Sequence, residues 1–408
     1  VPRLQPVVPE FHPLRQTLRI EPRAVHQRHH MELHPPLKQP PVIRPPLHHQ
    51  RKARQLRRPL VDVEAEEVLL EDQLRDVALP IAALQVDGLE ELIGLHQDVP
   101  GATGRVDEGQ LLGIELPGRD GRELRVDLVG LLGELGATWS RWGQALFPIG
   151  VLYDPFIERA LEPWSFGIYA GGQSILVGTP TGVTLAAEGG AHQSITTPSI
   201  GLEQPGCVSY EPAFAVEVEW ILLHCLSQLG RPDGSSSYLR LSTRPVKQEL
   251  TGIPSDPAAR ERRRLQVIAG AYTVRHCAAP QVCIVAVGAL VTEAAAAADR
   301  LADMDVAAEV VCVTSPDLLY RALQARNGLS EAPTWILDQV FPAERAAPMV
   351  TVLDGHPHTL TYLATINQVR GKSLGVSTFG QVGDLDSVYR YHGIDTDNIV
   401  RAALDAVG

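Results

Sequence analysis

The sequence predicts an α/β protein: two modules built on parallel sheets, following a poorly ordered N-terminal region. Three observations predict it. Continuous apolar strands such as VCIVAVG (Val282 to Gly288) alternate with helical patterns in the second half, which marks a parallel sheet covered on both faces. The chain has 408 residues, 44% of them apolar and 21% charged, enough for two or three domains with a sizeable core. The composition breaks near residue 138. Between Val1 and Thr138 there is no Ser, Tyr, Trp, Cys or Asn, and the one aromatic residue is Phe11.

Charge follows the same break. Residues 1–60 hold 12 basic and 3 acidic groups, residues 61–138 hold 5 and 18, and residues 139–408 hold 19 and 27, for a net charge of −12. A segment without aromatics buries too little apolar area to offset its ordering entropy. Residues 1–60 read as Pro-interrupted coil, as in PPVIRPP, and residues 61–98 as an acidic, Leu/Val-rich stretch of helical character. A basic arm suits nucleic acid or acidic lipid, and His26, His29, His30 and His34 suggest metal. The arm lacks interleaved aromatics, and the His spacing fits no ligand template. Excess Pro, His, Arg and Leu without Ser, Tyr, Cys and Asn is what a GC-rich gene yields in a wrong frame or strand, and the chain opens on Val1. Residues 1–130 are therefore left unassigned, as a spurious translation. The five Cys form no CxxC pair, which excludes a zinc ribbon and a disulfide scaffold. The longest apolar run, Val282 to Val291, is half the ~20 residues that span a bilayer. The start lacks an apolar leader segment. The expectation is a cytoplasmic protein with neither a membrane nor a nucleic-acid partner.

The elements after residue 131 follow in order. Leu131 to Gly150 reads as a helix leading into a loop. SILVGTPTG (Ser174 to Gly182) gives a buried strand and a turn, then a glycine-rich polar loop runs from Glu188 to Ser199. Val208 to Leu226 repeats apolar residues at helical spacing and reads as one amphipathic helix. YLRLSTRP alternates and reads as a strand ended by Pro245. Residues 249–268, with PSDPAARERRR, read as a polar linker and the Arg260 to Arg264 run as solvated. Val282–Gly288, Ala307–Ser315, Pro348–Gly355 and Lys372–Gly380 read as four strands. Thr292–Ala302, a segment opened by Pro316, His358–Val369 and the last residues, capped by Asp395 or Thr396, read as helices.

The motifs LFPIGVLYDPF (Leu146 to Phe156), GTPTGVTLAAEGGAHQSITTPSIG (Gly178 to Gly201), SYEPAF (Ser209 to Phe214) and YLRLSTRP occur in that order. So arranged, they resemble the thiamine-diphosphate-dependent transketolase superfamily, and within it the homodimeric first component of the pyruvate dehydrogenase complex. DGHPHTL and STFGQVGDLDSVYRYHGID resemble the last domain of that family. The resemblance spans residues 131–408. It implies a partial pyrimidine-binding module over 131–248, a linker over 249–268 and a transketolase-like C-terminal domain over 269–408.

In that family, thiamine diphosphate forms a carbanion that attacks the keto carbon of a 2-oxo acid, and a protein-bound lipoyl group takes the acyl unit. The resemblance places Tyr153 and Phe156 against the aminopyrimidine. It makes His192 the catalytic residue, a role suited to an imidazole, which titrates near neutral pH. Gln193 and Ser194 become substrate-binding groups that orient it. Bland alternatives stand beside these roles: core packing for Tyr153 and Phe156, a solvated charge for Glu188, and a turn role for His356 and His358. Two family features are not found. The family's activating Glu precedes the segment matching LLGELG; Glu123 lies nearby in unmatched surroundings and takes no role. The diphosphate module needs Gly-Asp-Gly and an Asn pair to hold magnesium, yet this chain has Asn only at 327, 367 and 398 and no Gly-Asp-Gly. No metal ligand is assigned, and magnesium enters only through a second, complementary chain that binds the diphosphate.

The function expected is thus a subunit or fragment of pyruvate dehydrogenase type, acting on a 2-oxo acid as part of a homo-oligomer with a lipoyl carrier as partner. The alternatives are a non-catalytic truncated or mispredicted reading of a longer gene, a part of a ketol transferase, and an interaction protein with a basic arm.

Overall fold

The computed structural model describes residues 123–408, with side chains from residue 128 onward. The expectations for residues 1–122 lie outside the described residues: the poorly ordered region, the basic arm, the His cluster and the acidic helical stretch.

The chain enters through helices α1 (Glu123–Gly136) and α2 (Thr138–Trp142). Strands β1 (Ile149–Leu152), β2 (Ile175–Gly178), β3 (Cys207–Tyr210) and β4 (Ser236–Arg240) form a parallel sheet in the order β1-β2-β4-β3. Helices α3 (Ile157–Tyr169), α4 (Ile200–Glu203) and α5 (Ala215–Ser227) connect them. All four residues of β2 and all five of β4 are buried, so these central strands are covered on both faces. On one face Leu176 and Tyr238 pack with Ile157, Ala160 and Trp164 of α3. On the other, Ile175, Val177 and Leu239 join a core shared with α5 and the second sheet.

Helix α6 (Pro257–Ala269) leads into the second sheet, with strands β5 (Ala271–Arg275), β6 (Val282–Val287), β7 (Ala308–Val313), β8 (Met349–Val352) and β9 (Gly371–Leu374) in the order β5-β7-β6-β8-β9. Helices α7 (Val291–Ala302), α8 (Pro316–Arg326), α9 (Trp335–Val340), α10 (Leu385–His392) and α11 (Thr396–Val407) complete it. Alternate β6 residues split between two cores. Val282, Ile284 and Ala286 face the first sheet's side, while Cys283, Val285 and Val287 face the opposite side. That is the doubly covered strand expected from VCIVAVG.

Several expectations are corrected. Val208–Leu226 is not one helix: Cys207–Tyr210 pairs with β4, and α5 starts at Ala215, where the Glu217 side chain accepts from the Ala213 and Phe214 amides. Strand β4 ends at Arg240, short of Pro245. Residues 357–365 form a 3₁₀ segment in place of an α-helix. Strand β5 runs antiparallel to β7, so the second sheet is mixed. The stretch 249–268 is not coil. Its arginines lie along α6: Arg263 donates to Thr251 O at 2.8 Å and sits 4.3 Å over the Tyr272 ring, and Arg260 sits 5.4 Å over Trp220.

Asp256 caps α6 by accepting from the Ala259 amide at 2.8 Å. Asp256→Ala is expected to lower stability by about 1 kcal/mol in urea unfolding. Amides of 260–269 should be protected from exchange in the unaltered protein; free exchange there would mean a coil.

Candidate active site

Ligands of open parallel sheets sit outside the carboxyl ends of the strands. In the first sheet those ends present Tyr153 to Phe156 after β1, the loop 179–199 after β2, Glu211 after β3 and Arg240 closing β4. The loops here hold two layers.

The outer layer brings Tyr153 and His192 together from segments 39 residues apart. The Tyr153 hydroxyl lies 2.9 Å from Glu188 Oε2 and 3.0 Å from the His192 carbonyl oxygen, so its one proton is shared between two acceptors. Burial, reinforced by Glu188, pushes the Tyr153 phenol upward and keeps it protonated. Phe156 meets Tyr153 edge to face at 5.2 Å. The His192 imidazole is 57% exposed, with Nδ1 3.7 Å from Glu188 Oε2. Glu188 is therefore tied to both candidate side chains and is more than a solvated charge.

Gln193 and Ser194 point elsewhere. Both are buried. Ser194 Oγ donates to Asp154 and accepts from the Gly182 amide at 3.0 Å, and Gln193 Nε2 donates to Gln381 O at 3.2 Å. The group beside the imidazole is Glu188; neither Gln193 nor Ser194 orients it, contrary to the expectation.

The inner layer went unrecognised in the sequence. Asp154 is fully buried and accepts from Ser194 Oγ, from Thr197 Oγ1 at 2.8 Å and from the Tyr238 hydroxyl. Arg240, 1% exposed, places Nε 3.4 Å from Asp154 Oδ2 and donates through Nη1 to Glu211 Oε1 at 2.8 Å. Burial pushes the Glu211 carboxyl up to about 7 against the pull of Arg240, with Asp354 and Asp154 adding like charge. In YDPF, SYEP and YLRL a charged residue stands at or just past the end of a strand, a pattern that does not by itself disclose burial or pairing.

These residues fit one half of a thiamine cofactor. The edge-to-face rings of Tyr153 and Phe156 stand beside an accessible imidazole, which places aromatic contact surface next to a group able to carry a proton. The diphosphate half finds no such fit. Among the described residues, no group of three or more His, Cys, Asp or Glu is placed to hold a metal ion, and Asn367 donates to Phe341 O. His356 and His358 stand with Nδ1 atoms 2.7 Å apart at the turn after β8, where His356 caps the 3₁₀ segment.

Residues 270–395 match the model of the transketolase-like C-terminal domain. Over its latter half this chain is similar to proteins of the transketolase superfamily. It is 27% identical over 293 residues to the pyruvate dehydrogenase E1 component of Mycolicibacterium smegmatis, covering 67% of this chain and 30% of that protein. It is 28% identical over 225 residues to the chromosomal transketolase of Cupriavidus necator, covering 55% of this chain and 30% of the relative. A solved split-gene transketolase, an inactive β4 tetramer, shares the fold at a TM-score of 0.51 and 18% identity, over 69% of this chain and 81% of that one. The chain thus spans about a third of the length of these curated relatives. Among its described residues, no helix is long and apolar enough to cross a membrane.

Two measurements probe the inner layer. Arg240→Met leaves two buried carboxylates without their cation and should cost about 3–5 kcal/mol in urea unfolding. A carboxyl raised to about 7 in the folded state keeps a proton that the unfolded chain releases near 4.5. Its contribution to stability is therefore full below pH 4.5 and is lost as pH rises to about 7. Glu211→Gln should flatten that decline; an unchanged slope would contradict the protonation.

Proposed function

We propose that the described part of this protein is one wall of a thiamine diphosphate site, which a second polypeptide completes with the diphosphate–magnesium module. The observation that carries it is the Tyr153–Glu188–His192 cluster, held at the carboxyl ends of β1 and β2 with its imidazole open to solvent. Bound thiamine diphosphate supplies a carbanion equivalent for cleaving the bond beside a ketone carbonyl. Tyr153 and Phe156 pack the aminopyrimidine ring. Glu188 holds the Tyr153 hydroxyl, and His192 moves a proton at the substrate oxygen, where imidazole suits work near neutral pH.

Within the superfamily we favour the decarboxylation of a 2-oxo acid with acyl transfer to a lipoyl carrier, the pyruvate dehydrogenase type. The likeness to the mycobacterial E1 component, which takes in the whole YDPF-to-STRP series, supports it. Ketol transfer is the second reading, supported by the transketolase likeness. The protein is proposed to act as a homo-oligomer in the cytoplasm, and the split-gene fold gives a precedent for dividing the chain.

Calorimetry separates these readings from an inert fragment. The purified chain with thiamine diphosphate and magnesium should show no saturable binding. Adding a complementary diphosphate-binding chain should restore it, with consumption of a 2-oxo acid if the first reading holds or of a ketose phosphate if the second does. His192→Ala in that assembly should lower turnover by about 10²–10⁴-fold with binding retained. Tight binding by the isolated chain would refute the half-site.

A further inference from the structure

We propose that Asp354, at the carboxyl end of β8, is a positioning residue that fixes the loop carrying His192. It rests on the proposed role of His192 only for its bearing on activity; the contacts themselves are independent of that role.

The loop after β2 is long, and the His192 side chain has little of its own structure to hold it. The His192 amide donates to Gly189 O at 3.2 Å, and its ring lies largely in solvent. The first sheet holds the loop through Tyr153, Asp154 and Arg240, and a separate set of restraints comes from the second sheet. Asp354 is 3% exposed and 171 residues from Val183, yet its carboxylate serves as the cap of the 3₁₀ turn at 183–185. It accepts from the amides of Val183 and Thr184, each at 2.8 Å, and from Thr184 Oγ1. Two adjacent amides converging on a buried carboxylate are a strong, charge-assisted arrangement. Gly182, at φ +66°, lets the backbone come close enough: a Cβ there would collide with the carboxylate.

A second tier secures the same turn. The Tyr389 hydroxyl is 2.7 Å from Thr184 Oγ1 and accepts from Arg244 at 3.3 Å, while Arg244 pairs through two bonds with Glu293. Farther along, the His356 amide donates to Ile195 O at 2.9 Å. Gln193 Nε2 reaches Gln381 O, and Gly380 leaves space for the Gln193 side chain. Residues 183, 184, 193 and 195 thus bracket His192, and each is held by a segment that follows β8 or β9. The transketolase-like C-terminal domain contributes no candidate catalytic side chain. Its function at this site is to define where the imidazole stands.

The test uses the full chain without thiamine, so its outcome is separate from that of the half-site. In Asp354→Asn, hydrogen exchange over 183–198 should rise about tenfold or more, with β6 and β7 unchanged. The His192 ring resonance, assigned with His192→Gln, should move. Asp405→Asn, which removes a surface partner of Lys372, should alter neither. Tyr389→Phe removes only the hydroxyl and should give the same local effect at smaller size, which keeps the test open if Asp354→Asn does not fold. Unchanged exchange over 183–198, or an equal rise in β6 and β7, would overturn the assignment.

Discussion

The buried guanidinium of Arg240 sets the geometry of the first sheet's working edge. It stands between Asp154 and Glu211, and all three are withdrawn from water. Taking such charges out of solvent is costly, and their mutual attraction offsets the cost only if the remaining donors and acceptors are satisfied. Here they are. Asp154 accepts from Ser194, Thr197 and Tyr238, and Arg240 also donates to Thr197 Oγ1 at 3.0 Å. The network spans the ends of β1, β3 and β4 and the loop after β2. None of these segments can shift without exposing or stranding a charge. Tyr153 is the residue before Asp154 and His192 lies two before Ser194, so the candidate side chains take their spacing from the ion pairs beneath them.

A second constraint acts from the other sheet. One apolar core runs from Ile175 and Val177 through α5 to Val282, Ile284 and Val310, which joins the two sheets through close packing. The polar contacts of Asp354 and His356 with the loop after β2 lie at the margin of that core. The core fixes the approach of the sheets, and the buried carboxylate turns the approach into a set loop conformation.

Much of this was legible in the sequence because strands β6, β7 and β8 are buried on both faces and read as largely apolar runs. Val282–Val287 and Ala308–Val313 fall within one residue or two of their expected limits. Pro316 at the first turn of α8 and Asp395 as the cap of α11 were also readable. The failures have physical causes. Strand β3 has four residues and is followed within five by a helix with a similar apolar content, so the two periods merged. The polar composition of 249–268 hid a helix because its Arg260 and Arg263 guanidinium groups lie over the Trp220 and Tyr272 rings, a contact that polar composition does not disclose. His192 and Tyr153 were visible through their motifs. Asp154, Glu211 and Arg240 were not, since a charged residue at the end of an apolar strand discloses neither its burial nor its partner.

The two layers of the site imply opposite demands on solvent. The inner layer is dry, and its polar groups are paired within the fold; the outer layer is wet on one side. An exposed His–Glu contact at 3.7 Å contributes little in water. An imidazole that moves a proton at a developing charge works best where water is excluded and the local dielectric is low. The fold fixes the side of the imidazole that faces this chain through Gly182, Ser194 and Asp354. On the proposed half-site reading, the partner chain would cover the open side, and the wall that keeps its shape alone is the one whose buried polar groups are already paired.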